Sequence, residues 1–334
     1  MSLISRDRLL ALLDLARHRR VAVIGDAMLD IYLRGDVERI SPEAPVPVVR
    51  VRDRRLALGG AANVANNVAA SGASVSLVST VGRDEAGSNI REMLEAAGGS
   101  ASELVSIDRP TTTKTRIVAR AQQVVRVDEE TDDDCSDADV TRLKGAVDRA
   151  VGGCDALILE DYNKGVLVPD LIQHAMQAAV ARGVPIVVDP KYRNFFAYAG
   201  ATIFKPNRRE LEAALGAVVS LDHRDALPSL VTRLGVQAVL LTLSERGMAL
   251  IEKGDGGAAD VFRIPTTARE VYDVVGAGDT VTAYLALMLA AGATVREAAV
   301  IANLAAGVEV GKMGAATVTR GEVLEAWSHS AGMP

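Results

Sequence analysis

Short apolar runs recur along this chain at regular intervals, with amphipathic stretches between them. Val21–Ile24, Val75–Val81, Ala156–Leu159, Pro185–Val188, Thr202–Phe204 and Ala238–Leu243 are near-continuous in apolar character rather than alternating. That pattern belongs to strands buried on both faces. Stretches 60–71, 84–97, 139–151, 168–182, 207–215 and 222–234 read as helices, as does 5–19, where Leu9, Leu10, Leu12, Leu13 and Ala16 share a face. The small-residue segment 281–291 and the alanine-rich segment from Thr294 read as two more. Strand and helix alternating in this way predict an α/β fold with a mainly parallel sheet covered on both faces. Ligands in such folds sit at the carboxyl ends of the strands, where Asp26, Asp161, Asp189 and Asn207 fall.

Two segments, 31–57 and 111–128, break the rhythm with β-branched residues in polar alternation. They predict antiparallel strands outside the main sheet. Such strands can form a flap that closes over the site, a ribbon used for dimer contacts, or both. The acidic run Asp128–Asp139 reads as a solvated loop and a helix start. With no repeat or low-complexity linker, residues 1–334 are expected to form one domain.

Composition acts mainly by exclusion. Hydrophobic residues make up 49% of the chain, charged residues 24%, and net charge is −6 with the basic residues scattered. Neither nucleic acid nor an anionic membrane surface is expected as a partner. Aromatic content of 3% is too low for base-stacking platforms. The two cysteines, Cys135 and Cys154, and four histidines show no zinc-type spacing, so a reducing compartment is expected. The N-terminal stretch lacks an apolar signal core, and no apolar run is long enough to cross a bilayer; the expectation is a cytoplasmic protein.

The most chemistry lies in Asp273-Val274-Val275-Gly276-Ala277-Gly278-Asp279-Thr280. Two glycines let successive N–H groups of Gly276, Ala277 and Gly278 converge on an anion. The helix that follows presents unpaired donors and partial positive charge at its start. Asp279, in its first turn, stands where it can take a proton from an attacking hydroxyl. An anion cradle beside a general base is what phosphoryl transfer to an alcohol requires. The competing account is a Gly-Ala-Gly turn into a tightly packed helix.

Other motifs are individually ambiguous. Gly59 and Gly60 permit close approach of a sugar to the backbone, with Asn63 able to donate and accept; a tight turn with a cap is the alternative. Asn207 and Glu210 can hold magnesium through water, or form a capping box. Asp189 and Lys191 place an acid and a base at the ligand end of a strand, where an ion pair would serve equally. Gly307–Lys312 is not a Walker sequence, and no dinucleotide fingerprint follows Val21–Ile24, which disfavours an oxidoreductase.

The order of these motifs, Gly-Gly…Asn early, Asn-x-x-Glu midway and Gly-Ala-Gly-Asp late, resembles the ribokinase, or PfkB, family of sugar kinases over nearly the whole chain. The resemblance implies a three-layer αβα, Rossmann-like fold with a small β lid, and ATP with Mg²⁺. It makes Gly276, Ala277 and Gly278 the anion hole and Asp279 the catalytic base. Asp30 matches the residue that binds sugar hydroxyls. Thr242, Ser244 and Gly247 match the nucleotide region, with Ser244 where glycine is common, and Asn303, Ala306 and Gly307 match the purine contacts. A monovalent cation, K⁺, is implied near Asp273. Val274 stands where the family usually has threonine.

Within the family, the runs Ile40–Val48, Gly59–Ala65, Asp161–Gly165, Asp189–Lys191 and Val310–Gly314 are similar to those of kinases acting on D-glycero-β-D-manno-heptose 7-phosphate. That implies phosphorylation of the C1 hydroxyl, with the sugar held by Asp30, Gly59, Gly60 and Asn63 and further by Asp161, Asn163, Asp189 and Lys191. The chain ends at Pro334 with no nucleotidyltransferase segment, so a stand-alone kinase is expected. The 7-phosphate needs cations, for which Lys114, Arg116, Arg120, Arg126, Lys164 and Lys191 are the candidates. Solvated edge residues are the alternative for the arginines. A homodimer through the flap is expected.

Overall fold

In the computed structural model the chain is described over residues 3–119, 122–221, 227–254, 259–268 and 270–331. Helix α1 (Arg6–Ala16) leads into β1 (Arg20–Gly25), and two long strands follow at once, β2 (Ala27–Ile40) and β3 (Pro47–Gly60). Then come α2 (Ala61–Ala70), β4 (Ser74–Val81), α3 (Glu85–Ala96) and β5 (Leu104–Ser106). A second excursion holds β6 (Thr113–Ala119) and β7 (Gln122–Glu129). The alternation resumes with α4 (Asp137–Val151), β8 (Ala156–Glu160), α5 (Pro169–Val180), β9 (Ile186–Asp189) and β10 (Ile203–Phe204). After α6 (Arg208–Leu215) and α7 (Leu227–Leu234) come β11 (Ala238–Thr242), β12 (Met248–Lys253) and β13 (Ala259–Ile264). Helices α8 (Ala277–Ala290), α9 (Val295–Glu309) and α10 (Arg320–Ala331) complete the described chain.

The main sheet has the order β13-β12-β11-β10-β9-β8-β1-β4-β5. From β11 to β5 every pairing is parallel, while β12 and β13 add an antiparallel edge. Alternate residues of one strand serve opposite layers. Val21 and Val23 join the core beneath α1, α2, α8 and α9, whereas Ala22 and Ile24 join the core beneath α4 and α5. Two-sided burial is why the strands read as continuous apolar runs. The outer pair β12 and β13 lies beyond the last run that this signature picks out. The amphipathic helix expected over 222–234 is described from Leu227, and its first residues lie outside the described part.

The two irregular segments form a separate four-stranded sheet of order β3-β2-β6-β7. β2 with β3 and β6 with β7 are antiparallel, as expected, but the central pairing of β2 with β6 is parallel. The flap is rooted in the site: β2 starts one residue after β1 ends, and β3 runs directly into α2. Its root, Ala57–Gly60, is buried, and β7 is exposed along nearly its whole length. Among the described residues no helix is long and apolar enough to cross a membrane. Cys135 and Cys154 are free and buried.

Candidate active site

The start of α8 is built by a turn that few residues tolerate. Gly276, the N-cap, has φ +98, and a Cβ there would lie 3.1 Å from the amide of Asn63 and from Glu309 Oε1. The Asp273 carboxylate holds the turn by accepting from the N–H groups of Val275 (3.0 Å) and Gly314 (3.2 Å). The N–H groups of Ala277, Gly278 and Asp279 belong to the first helical turn, where donors lack intrahelical partners and the helix dipole favours an anion.

Asp279 follows in that turn and is only 5% exposed. Its carboxylate accepts from Asn63 Nδ2 (2.8 Å) and from the Tyr162 hydroxyl (2.8 Å). Burial raises its pKa to about 6, against the opposing pull of these two donors. A carboxylate of that strength is ionised at neutral pH yet more basic than an ordinary aspartate, which suits a general base.

Asn63 reaches Asp279 because α2 begins directly at Gly60, whose φ of +55 turns the flap strand into the helix. A Cβ on Gly59 would come within 2.9 Å of Asp30 Oδ2, and one on Gly60 within 2.5 Å of Asp26 O and 3.5 Å of the Tyr162 ring. Asp30 is buried and paired with the Arg116 guanidinium at 2.5 Å, and Arg116 lies over the Tyr32 ring at 5.3 Å.

Tyr162 is delivered by the loop after β8, and that loop is organised by Asp26. The buried Asp26 carboxylate accepts from the N–H groups of Tyr162 (2.8 Å), Lys164 (3.1 Å) and Val166 (3.1 Å). Asp161 accepts from Asn163 N (2.8 Å) and the Tyr198 hydroxyl (2.8 Å), with burial raising its pKa to about 6. Asn163 is left-handed at φ +54, and its buried Oδ1 has no hydrogen-bond partner. A buried acceptor without a donor is rare in folded proteins and calls for an explanation.

The candidate cations among the described residues are all engaged. Lys114 pairs with Asp128 (3.3 Å) and Glu130 (2.9 Å), Lys164 with Glu130 (2.9 Å) and Asp132 (2.5 Å), and Arg126 with Asp128 (2.9 Å). Glu130 thus bridges Lys114 and Lys164. Arg120 lies outside the described residues. Lys191 pairs with Glu210 and lies 5.0 Å over the Tyr162 ring. Asn207 and Glu210 form a complete capping box on α6, with bonds of 2.9 and 2.8 Å. Asp189 is joined instead to Lys205, at 2.7 Å.

A cleft of about 510 Å³ opens beside the start of α8. Thr242, Ser244 and Gly247 line one side, Asn303, Ala306 and Gly307 another, with Ala277 and Gly278 between them. Of the residues expected at the nucleotide, Thr242, Ser244, Gly247, Gly278, Asn303, Ala306 and Gly307 line this one cavity with Ala277, whereas Asn207 and Gly276 are not part of its lining. Ser244 carries φ +54, a conformation that favours glycine.

Sequence reasoning missed four groups. Tyr162 and Lys205 gave no signal beyond their neighbours Asp161 and Asn207. Glu160 and Glu309 lie inside apolar runs, yet both are 0% exposed and neither carboxyl has a hydrogen-bond partner among the described residues. Burial pushes Glu309 up to about 8 and Glu160 well above the usual range.

Comparison with known proteins decides what this geometry belongs to. The sequence model of the pfkB family carbohydrate kinases matches residues 18–320. The chain belongs to that family. It is 45% identical over 321 residues to the bifunctional protein HldE of Caulobacter vibrioides, covering 95% of this chain and 65% of that protein. Similarity to HldE of Gluconacetobacter diazotrophicus is 46% over 307 residues, 91% of this chain and 63% of the relative. The chain thus spans a little under two thirds of the length of these relatives. Its fold is that of ribokinase from Arabidopsis thaliana complexed with ribose and ATP (TM-score 0.72, 22% identity, 93% and 99% of the two chains). It is also that of phosphofructokinase-2 from Escherichia coli in complex with potassium (TM-score 0.75, 17% identity, 94% and 99%). The pfkB kinase is therefore a mostly parallel α/β protein with a ribokinase-like architecture.

Proposed function

We propose that this pfkB kinase transfers the γ-phosphoryl group of ATP to the C1 hydroxyl of D-glycero-β-D-manno-heptose 7-phosphate, giving heptose 1,7-bisphosphate. The observation that carries the phosphoryl-transfer reading is the buried Asp279 carboxylate, held by Asn63 and Tyr162 at the start of α8 and beside the 510 Å³ cleft. The heptose reading rests on the runs Ile40–Val48, Gly59–Ala65 and Asp161–Gly165 and on the similarity to HldE over 95% of the chain.

ATP lies in the cleft between the Thr242–Gly247 turn and α9, its terminal phosphate over the N–H groups of Ala277, Gly278 and Asp279. The sugar lies opposite, its hydroxyls within reach of Asp30, the backbone at Gly59 and Gly60, and Asn63, with Asn163 Oδ1 a free acceptor. Asp279 takes the C1 proton as the new P–O bond forms. An anomeric hydroxyl is more acidic than an ordinary alcohol, so a carboxylate near pKa 6 suffices. Lys114, Arg116, Lys164 and Lys191 supply positive charge for the 7-phosphate, exchanging present carboxylate partners for phosphate oxygens.

Among the described residues no group of three or more His, Cys, Asp or Glu could hold a metal by itself. In this reading magnesium comes with the nucleotide and would neutralise phosphate charge, with Asn207 and Glu210 near it through water. A monovalent cation is placed near Asp273, whose carboxylate holds the turn that begins α8. In this reading the enzyme is a cytoplasmic dimer that supplies a precursor of ADP-heptose for lipopolysaccharide.

The test is ADP release with a panel of acceptors: heptose 7-phosphate, fructose 6-phosphate, ribose and free heptose. Heptose 7-phosphate should give the highest kcat/KM, with phosphorus NMR placing the new phosphate at C1. A preference for fructose phosphate or ribose would replace the heptose reading with another sugar kinase. No turnover with any acceptor would leave a sugar-binding protein.

A further inference from the structure

The ends of three neighbouring strands place a group of buried charges directly under the first turn of α8. Glu160 ends β8, Asp189 ends β9 opposite it in register, and Lys205 follows β10, its N–H bonded to Val188 O at 2.8 Å. The Lys205 ammonium sits 2.7 Å from Asp189 Oδ2, and the three residues are 3%, 5% and 0% exposed in the order Lys205, Asp189, Glu160. A Cβ on Gly278, the residue before Asp279, would lie 3.6 Å from Lys205 Nζ and 3.9 Å from Asp189 Oδ2. This buried pair is therefore packed against the residue that precedes the base.

Charge counting within this space is unfavourable. Glu160, Asp189 and Asp279 are three buried acids, and Lys205 is the cation buried among them. Lys191 contributes from the rim through its place over the Tyr162 ring, and Glu309 adds a fourth acid across Gly276. Asn63 and Tyr162 are the neutral donors to Asp279. Charges of like sign in a low-dielectric space cannot all persist, so one acid keeps its proton. Of the three acids, Glu160 is the deepest and has no hydrogen-bond donor among the described residues.

We propose that Lys205 is a positioning residue for the transfer: anchored by Asp189, its ammonium keeps the neighbouring Asp279 ionised, while Glu160 beneath them stays neutral. This rests on Asp279 being the base, as argued above. In this proposal Lys205 acts through the charge it sets at Asp279. Burial raises Asp279 toward about 6, and Lys205 pulls in the opposite direction.

The experiment is the pH dependence of kcat, with KM for both substrates, in the wild type, Lys205→Met and Lys205→Arg. Lys205→Met should move the acid limb up by about one pH unit and lower kcat about tenfold on the acid side. It should recover to within a few-fold of the wild type at about pH 9, with KM for ATP little changed. Lys205→Arg should return the limb to its original place. A loss by the same factor at every pH, or an unmoved limb, would overturn the proposal. Should Lys205→Met fail to fold, Glu160→Gln decides it: replacing a neutral acid by a neutral amide leaves the limb in place, whereas replacing a carboxylate lowers it by about a unit. Asp279→Asn separates the two readings. If that variant turns over normally, the base assignment itself fails; if it is inactive and the limb in Lys205→Met is unmoved, only the role of Lys205 fails.

Discussion

At the scale of single residues, the site is a carboxylate with two donors and an unusual environment. Asp279→Asn keeps the size and loses the basicity, so kcat should fall about 10²–10⁴-fold while calorimetry still detects both substrates binding. The pH dependence has a definite sign. In the proposed mechanism Asp279 works as the ionised form and burial raises its pKa to about 6, so activity should be lost as pH falls through that value and be full above it. Tyr162→Phe removes one of the two bonds that favour the ionised form. Its acid limb should therefore move upward, which a kcat profile would show. Asp279 was legible in the sequence because Gly-Ala-Gly marks a helix start by itself. Tyr162 was not, since its phenol meets Asp279 from 117 positions away and only the strand order brings them together.

At the scale of elements, two loops carry the geometry, and each depends on one residue. Gly276→Ala forces a side chain into φ +98 and against Asn63, Glu309 and Ala315, all about 3.1–3.2 Å from the new Cβ. The left-handed backbone alone costs about 1–2 kcal/mol. The variant should show a lowered Tm and a raised KM for ATP. Asp26→Ala strands three backbone N–H groups in the loop after β8. At about 1–3 kcal/mol for each unsatisfied donor, urea denaturation should show a loss of at least about 3 kcal/mol. The parallel strands were legible because two-sided burial leaves a local mark in each. The parallel joining of β2 to β6 was not, because pairing between strands 80 or more positions apart (Leu29 with Thr113) leaves no mark in either. The Asn207–Glu210 spacing predicted a capping box and a magnesium site equally, and the cap geometry is complete.

At the scale of the molecule, the outer surface of the flap has the character of an interface. Val51, Val125 and Val127 are 47%, 45% and 46% exposed on strands that carry little core. Apolar side chains on exposed strands with no covering layer suit association with a second copy. Light scattering should report a dimer, and Val125→Asp should shift it toward monomer. A wild type that is monomeric at all concentrations would remove the flap from this role. A break in the strand–helix rhythm marked the flap over 31–57 and 111–128, but its strands start at Ala27 and end at Gly60 and Glu129, and its outer surface depends on strand order and exposure that composition alone does not set.

The reacting carboxylate draws its two hydrogen bonds from Asn63 and Tyr162 while itself standing at position 279. Its three contributors are thus spread over most of the polypeptide. During synthesis on the ribosome no early fragment holds even a weak version of the base, because the residues that tune it precede the residue itself. The arrangement around Asp279 therefore exists only once the segment that becomes α8 has packed against the start of α2 and the loop after β8.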